Sequence, residues 1–269
     1  MISIKDLQFK YPRTDFSLQL PSLEVAPGSK VAFVGPSGCG KTTLLNLISG
    51  ISTADRGSVV TAGQDVGKMT SSQRRDFRIL NIGLVFQQFE LVDYLDLKSN
   101  ILLPFAINRS LQQSTDAGLS FFRSGRSSES SGITGGSGTR NLARYIKGVV
   151  RSNDIQSRAI GLAQEMGLGD KLKRFPSQLS QGEKQRCAIC RALVTEPRLI
   201  LADEPTGNLD PKNKLAIMDL LFEQAERFGQ TLVMVTHDMS ILGGMDRTID
   251  FEQFRCESAE GAKTTEASS

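Results

Sequence analysis

The chain has 269 residues, enough for one large domain with an ample buried core, and 39% of them are apolar, an ordinary share for a globular protein. Its 32 Lys and Arg against 29 Asp and Glu leave a net charge of +3, which offers no electrostatic case for a nucleic-acid partner. No run approaches the ~20 apolar residues of a membrane span, and the first nine residues alternate as a strand does, without the basic start and apolar core of a signal peptide. The expected location is therefore the cytoplasm, with any membrane work done through a separate subunit that supplies the spans.

In chain order, residues 2–9 and 16–25 show period-two alternation and predict two strands. Residues 30–34 are a short apolar strand that runs directly into Gly35-Pro36-Ser37-Gly38. Helical spacing follows over 41–49, with Leu44, Leu45, Leu47 and Ile48 on the buried side and Gly50 as the stop. Val59 and Val60 mark another strand, 71–79 a polar helix and 82–86 a further strand. Composition changes near Ser110, and the Ser/Gly-rich insertion at about 112–140 cannot bury enough apolar surface to order itself, so a flexible loop is expected there. Apolar spacing returns over 141–150 and 155–166, predicting a short helix and a longer one. Residues 198–202 and 231–235 are continuous apolar runs, the pattern of buried parallel strands, with a long helix over 211–228 between them. The tail 257–269 is small and polar and reads as disordered. Strand, loop and helix units around buried parallel strands make the fold class α/β, with a mostly helical insertion over about 88–192.

The four cysteines, at 39, 187, 190 and 256, do not form a disulfide framework. Cys187 and Cys190 form a C-x-x-C inside an apolar-periodic stretch, where small core thiols of a helix are expected; a zinc site would need a second ligand pair nearby.

The run Gly35-Pro36-Ser37-Gly38-Cys39-Gly40-Lys41-Thr42 fits G-x-x-x-x-G-K-[ST] and sits between a strand and a helix. Glycines let backbone N–H groups turn inward as an anion nest, and the following helix aims its positive dipole end at phosphates. Lys41 is placed to neutralise β/γ-phosphate oxygens and the Thr42 hydroxyl to ligate Mg²⁺, so Mg²⁺-ATP is the expected ligand. Such a loop needs an acidic element at another strand end. Asp203 and Glu204 stand at the end of the apolar strand 198–202, the first to hold Mg²⁺, directly or through water, and the second to polarise the attacking water. Between these lies Leu179-Ser180-Gln181-Gly182-Glu183, in which Ser180 and Glu183 have capping-box spacing at a helix start.

The order of the Gly35 loop, LSQGE at Leu179, LADEP at Leu201 and His237 after an apolar strand resembles the nucleotide-binding domain of an ABC ATPase over nearly the whole chain. The resemblance implies a P-loop core of mainly parallel sheet, an antiparallel β subdomain and an inserted α-helical subdomain, all within residues 1–256. It implies nucleotide contacts from Tyr11, which matches the adenine-stacking aromatic, from the loop Gly35 to Thr42 with Thr43, and from Ser180, Gln181, Gly182 and Glu183. It further implies that Gln87 touches Mg²⁺ and the attacking water, that His237 contacts the γ-phosphate beside Glu204, and that Asn208, Leu209 and Asp210 form the D-loop. The run from Ala202 to Asp210 is similar to ATPase subunits of lipoprotein-release and macrolide-efflux type transporters, with the cell-division ABC ATPase nearby. The implied partners are a second copy, which sandwiches two ATP molecules, and a separate transmembrane subunit that places the protein at the inner face of the membrane.

Three departures stand out from the family pattern. One is the Ser/Gly-rich insertion, which lengthens the stretch between Gln87 and Ser180 and is either a change in coupling to the membrane partner or a tolerated surface insertion. Gln181 and Glu183 replace the usual Gly and Gln of LSGGQ, while Ser180 and Gly182 are retained. Glu183 places a negative charge near the expected γ-phosphate position, and equivalent variation occurs within the family, so the effect on the rate of hydrolysis stays open. The final strand, 246–251, lacks the glycine turn that relatives carry. Phe89, Leu91 and Tyr94 are candidates for a groove that receives the membrane partner, or else core residues. An ATP-switched regulator or mechanical coupler of cell-division type is the alternative function. A soluble ATPase of DNA repair or translation lacks support because the chain shows neither coiled-coil arms, zinc modules nor a second nucleotide domain, and LSQGE with His237 argues against a generic P-loop kinase or GTPase.

Overall fold

The computed structural model describes residues 1–14, 16–108, 146, 153–207 and 209–254. The Ser/Gly-rich insertion, the tail, Asn208 and Cys256 lie outside the described residues, and of the stretch 141–150 only Ile146 falls within them, helical and fully buried.

The first two strands, β1 (Ile2–Lys10) and β2 (Ser17–Val25), pair antiparallel from Ile2 opposite Val25 to Lys10 opposite Ser17. Their alternation turns Ile2, Ile4, Leu7 and Phe9 to the same face as Leu18, Leu20, Leu23 and Val25, all buried. Strand β4 (Arg56–Thr61) joins the other edge of β1 and carries β5 (Gln64–Asp65), so this antiparallel sheet runs β2-β1-β4-β5. The second sheet is parallel, in the order β6-β7-β8-β3-β9, from β3 (Lys30–Val34), β6 (Ile82–Val85), β7 (Leu199–Asp203), β8 (Thr231–Thr236) and β9 (Arg247–Asp250).

The continuous apolar runs of β7 and β8 follow from burial on both faces. Leu199 and Leu201 face a core shared with Phe33, Val233, Val235, the antiparallel sheet and helix α1 (Lys41–Ile48). Ile200 and Ala202 face the opposite core, with Leu232, Met234 and the helices α3 (Leu97–Ile107), α4 (Asn153–Glu165), α5 (Gln181–Leu193) and α6 (Pro211–Arg227). Helix α2 (Ser71–Asn81) starts on a complete capping box between Thr70 and Gln73 and leads into β6. Cys187 and Cys190 are fully buried in α5, as the apolar spacing predicts, and burial pushes the Cys187 thiol up to about 12.

The expected strand at 246–251 ends one residue early. Asp250 closes β9, and Phe251 begins a 3-10 turn (Phe251–Phe254) that drives the fully buried Phe251 ring edge-on against Phe33. Phe89 is core, Leu91 is packed partly buried against it, and Tyr94 remains exposed. Among the described residues no helix is long and apolar enough to cross a membrane.

What the topology does for function lies in the register. Val34 stands opposite Thr236, Val235 opposite Asp203, and Ala202 opposite Val85, so β3, β8, β7 and β6 finish side by side. The segments leaving these four strands therefore meet at the carboxyl edge of one sheet, where open α/β sheets bind ligands.

Candidate nucleotide site

The loop from Gly35 to Gly40 leaves β3 with Pro36, Ser37 and Gly38 exposed. Gly38 has φ 81° and Gly40 φ 109°, conformations that side chains rarely adopt, and a β-carbon on Gly40 would stand 2.7 Å from the Phe16 ring. Glycine is thus required at position 40 by both backbone and packing. Helix α1 begins at once, with the Leu44 N–H donating to Gly40 O at 2.9 Å, which leaves the first-turn N–H groups pointing into the loop. Lys41 is buried, and its Nζ donates to Gly35 O and Pro36 O, both at 2.7 Å. The ammonium is held inside the loop by carbonyls that an anionic ligand can supplant.

Asp203 closes β7 and accepts a hydrogen bond from the Thr42 hydroxyl. Burial raises its pKa, the Thr42 bond and Lys41 oppose that rise, and the neighbouring Glu204 charge adds to it. A half-buried carboxylate beside an exposed hydroxyl, with Gln87 on the next strand end, is a hard oxygen donor set that suits Mg²⁺. Among the described residues there is no group of three or more His, Cys, Asp or Glu that could hold a metal ion. Mg²⁺ in phosphate sites is ordinarily held by one or two protein ligands together with substrate phosphates.

Glu204 continues the β7–β8 pairing through its N–H, which donates to Val235 O at 3.0 Å, yet its own φ is 48°. That left-handed turn swings the side chain toward the end of β8, where His237 Nδ1 lies 2.7 Å from the carboxylate. Gln87 lies next to the same segment: a β-carbon on Gly207 would come within 2.9 Å of Gln87 Nε2. Tyr11 shares a hydrogen bond with Thr43 Oγ1 at 3.3 Å and stands in an aromatic group with Phe9 and Phe16.

The LSQGE segment sits at the start of α5. Ser180 Oγ accepts from the Glu183 N–H at 3.3 Å, and Glu183 accepts from the Ser180 N–H at 2.7 Å, completing the capping box. Lys171 Nζ reaches the same carboxylate at 2.6 Å. The Lys171 bond first and the Ser180 N–H second hold the Glu183 pKa down to about 2. The carboxylate is thus folded back on its own helix start, as the capping-box spacing predicts, and is neutralised by Lys171, a partner that the spacing does not announce. Gly182 lies beside the start of α6, where a β-carbon would meet Asn213 Cγ at 3.7 Å.

The loop, Asp203, Glu204, His237, Gln87 and Tyr11 therefore converge, whereas Ser180 to Glu183 are positioned by α5 and α6. Three contributors escape sequence reading. Phe16, which reads only as a strand residue, abuts Gly40 and Tyr11. Phe251 backs the loop, 3.4 Å from a β-carbon placed on Gly35 and 3.3 Å from one on Gly40. Lys214 pairs with Asp238, next to His237, at 2.6 Å. No spacing signal in the chain points to any of the three.

A family model described as "ABC transporter" matches residues 18–207. The lipoprotein-releasing system ATP-binding protein LolD of Pseudomonas fluorescens is 32% identical over 256 residues, 94% of this chain and 95% of the relative. LolD of Treponema pallidum is 36% identical over 232 residues, 86% of this chain and 85% of the relative. Among solved structures, a dimeric cassette described as a bacterial ABC transporter cassette, MJ0796, is 29% identical with a TM-score of 0.69, covering 94% of this chain and 95% of its own. A dimeric post-hydrolysis state of the same protein bound to ADP and Pi matches with 28% identity and a TM-score of 0.68.

Proposed function

The chain belongs to the ABC transporter family as an ATP-binding cassette, and on that premise we propose that two copies close on two ATP molecules, hydrolyse them and drive a separate membrane subunit. In this reading residues 1–256 are one ATP-binding domain with a helical subdomain over about 88–192. Gly35 to Thr43 of one copy cradle the phosphates, and Ser180, Gln181, Gly182 and Glu183 of the other close the site. Tyr11 stacks on the base. Lys41 leaves its loop carbonyls for β/γ-phosphate oxygens. Thr42, Asp203 and Gln87 hold Mg²⁺, which when bound neutralises charge on the phosphates.

Glu204 accepts a proton from the attacking water, and His237 orients Glu204 and donates toward the γ-phosphate. The observation that carries the reading is the contact between His237 and Glu204, 2.7 Å long, at the strand edge that also bears the phosphate loop. The dimeric relatives support the sandwich. The LolD likeness supports a lipoprotein-releasing role, with the chain docked through its partner at the cytoplasmic face of the membrane. Purification of the Glu204→Gln chain with ATP, alone and from its native membranes, tests this. The expected result is an ATP-dependent dimer and a co-purifying membrane protein; a chain that stays monomeric at saturating ATP would overturn the reading.

A further inference from the structure

The two residues that follow Gln87 and Gln88 both have left-handed backbones, Phe89 at φ 61° and Glu90 at φ 49°. Non-glycine residues rarely adopt that conformation, and it persists only where the surroundings over-determine it. Two of them in succession direct their carbonyls the same way, as in a half-turn of helix. Both carbonyls meet one side chain. Arg191 donates from Nη2 to Phe89 O at 2.7 Å and from Nη1 to Glu90 O.

Arg191 is largely enclosed, and burial lowers its pKa, so the guanidinium depends on partners of this kind. The planar fork matches two adjacent acceptors, which a lysine ammonium cannot do. Arg191 lies on α5 eleven residues after Ser180, three helical turns or about 16 Å along one rod. The end of that helix rests on β6, where a β-carbon on Gly83 would come within 2.6 Å of Ala192 O, and β6 is the strand that delivers Gln87. The far side of the turn is tied as well. Asn100 of α3, fully buried, accepts from the Val92 N–H at 2.8 Å and donates to Val92 O at 3.1 Å and Leu95 O at 3.0 Å.

We propose that Arg191 is a positioning residue that locks the Phe89–Glu90 turn to α5, so that the pose of Gln87 in one nucleotide site and the pose of Ser180 to Glu183 offered to the second copy are set together. This inference rests on the hydrolytic dimer described above. Arg191 touches neither nucleotide nor metal. Its effect passes through Gln87.

The test is steady-state ATPase of the full chain with Arg191→Ala, Arg191→Lys, Gln87→Ala and the Arg191→Ala/Gln87→Ala double variant. Arg191→Ala is expected to lower kcat by roughly 10- to 100-fold, with Arg191→Lys between it and the parent chain. The KM for ATP stays within about twofold because residues 35–43 are untouched, and the double variant is no slower than Gln87→Ala alone. Additive losses, or an unchanged kcat in Arg191→Ala, overturn the proposal. If Arg191→Ala does not fold, hydrogen exchange of Arg191→Lys decides: faster exchange at 87–92 but not at 35–43 supports the clamp, and unchanged exchange overturns it. Exchange reads the clamp even if the parent chain proves to have no ATPase activity, a result that would overturn the hydrolytic reading instead.

Discussion

His237 Nδ1 lies 2.7 Å from the Glu204 carboxylate, although the two residues close different strands. The contact exists because β7 and β8 end in register and because Glu204 takes a left-handed φ of 48° that turns its side chain across the sheet edge. A carboxylate so held has a fixed direction in which to accept a proton.

Glu204→Gln keeps the shape and removes the basicity. Hydrolysis is expected to fall by roughly 10²- to 10⁴-fold with ATP affinity retained. His237→Ala leaves the carboxylate but frees its orientation, and a loss on the order of 10²-fold is expected. Single-turnover hydrolysis alongside equilibrium ATP binding separates the two effects; parallel loss of binding in either variant would place these residues outside the chemistry.

Asp203 has a raised pKa, chiefly from burial. A carboxyl whose pKa rises on folding adds a cost that grows as pH rises through its unfolded value and is fully present once pH exceeds the folded value. Asp203→Asn is therefore expected to raise the melting temperature of the nucleotide-free chain at neutral pH while cutting Mg²⁺-dependent hydrolysis by at least about 100-fold. In the parent chain the apparent Mg²⁺ affinity should begin to fall, as pH is lowered, above the pH at which a free aspartate protonates. Removal of Mg²⁺ with a chelator should abolish hydrolysis and leave the fold intact by circular dichroism.

Glu183 and Asp238 carry the opposite shift, each held down to about 2, Glu183 first by Lys171 and Asp238 first by Lys214. A carboxylate with a depressed pKa contributes stability that is fully present above its unfolded value. That contribution is lost as pH falls from the ordinary carboxylate values of 4.5 and 3.8 toward 2. Glu183→Gln keeps an acceptor for the Ser180 N–H but breaks the Lys171 pair. A destabilisation of about 1 kcal/mol at pH 7, or roughly 2–4 °C in Tm, is expected, together with a flatter acid limb of the Tm-against-pH curve. Because the charge is already neutralised, kcat should change little. A large rise in kcat would show that the Glu183 charge still acts on the γ-phosphate despite its pairing with Lys171.

The phosphate loop was legible because its signals are local: Gly35 to Thr42 are contiguous, and the strand before them and helix after them read from periodicity. Asp203 and Glu204 were legible by their strand end, whereas Gln87 and His237 were assigned through the resemblance. Tyr11 and Ser180 to Glu183 needed the resemblance, since nothing in their own neighbourhood names a ligand. The final strand ran one residue short of its apolar pattern because Phe251 is buried by the loop and Phe33, not by strand pairing.

What the chain order by itself determined is the identity of each chemical group and the element that carries it. Backbone geometry and side-chain period act over a few residues, so they survive in the linear pattern. Tertiary structure alone decided which groups meet. Lys171 neutralises Glu183, Phe16 requires a glycine at position 40, Arg191 grips two carbonyls 101 and 102 residues away, and His237 reaches Glu204 across 33 residues. Those pairings depend on strand register and on left-handed turns at Phe89, Glu90 and Glu204, which are conformations that no residue type at those positions announces.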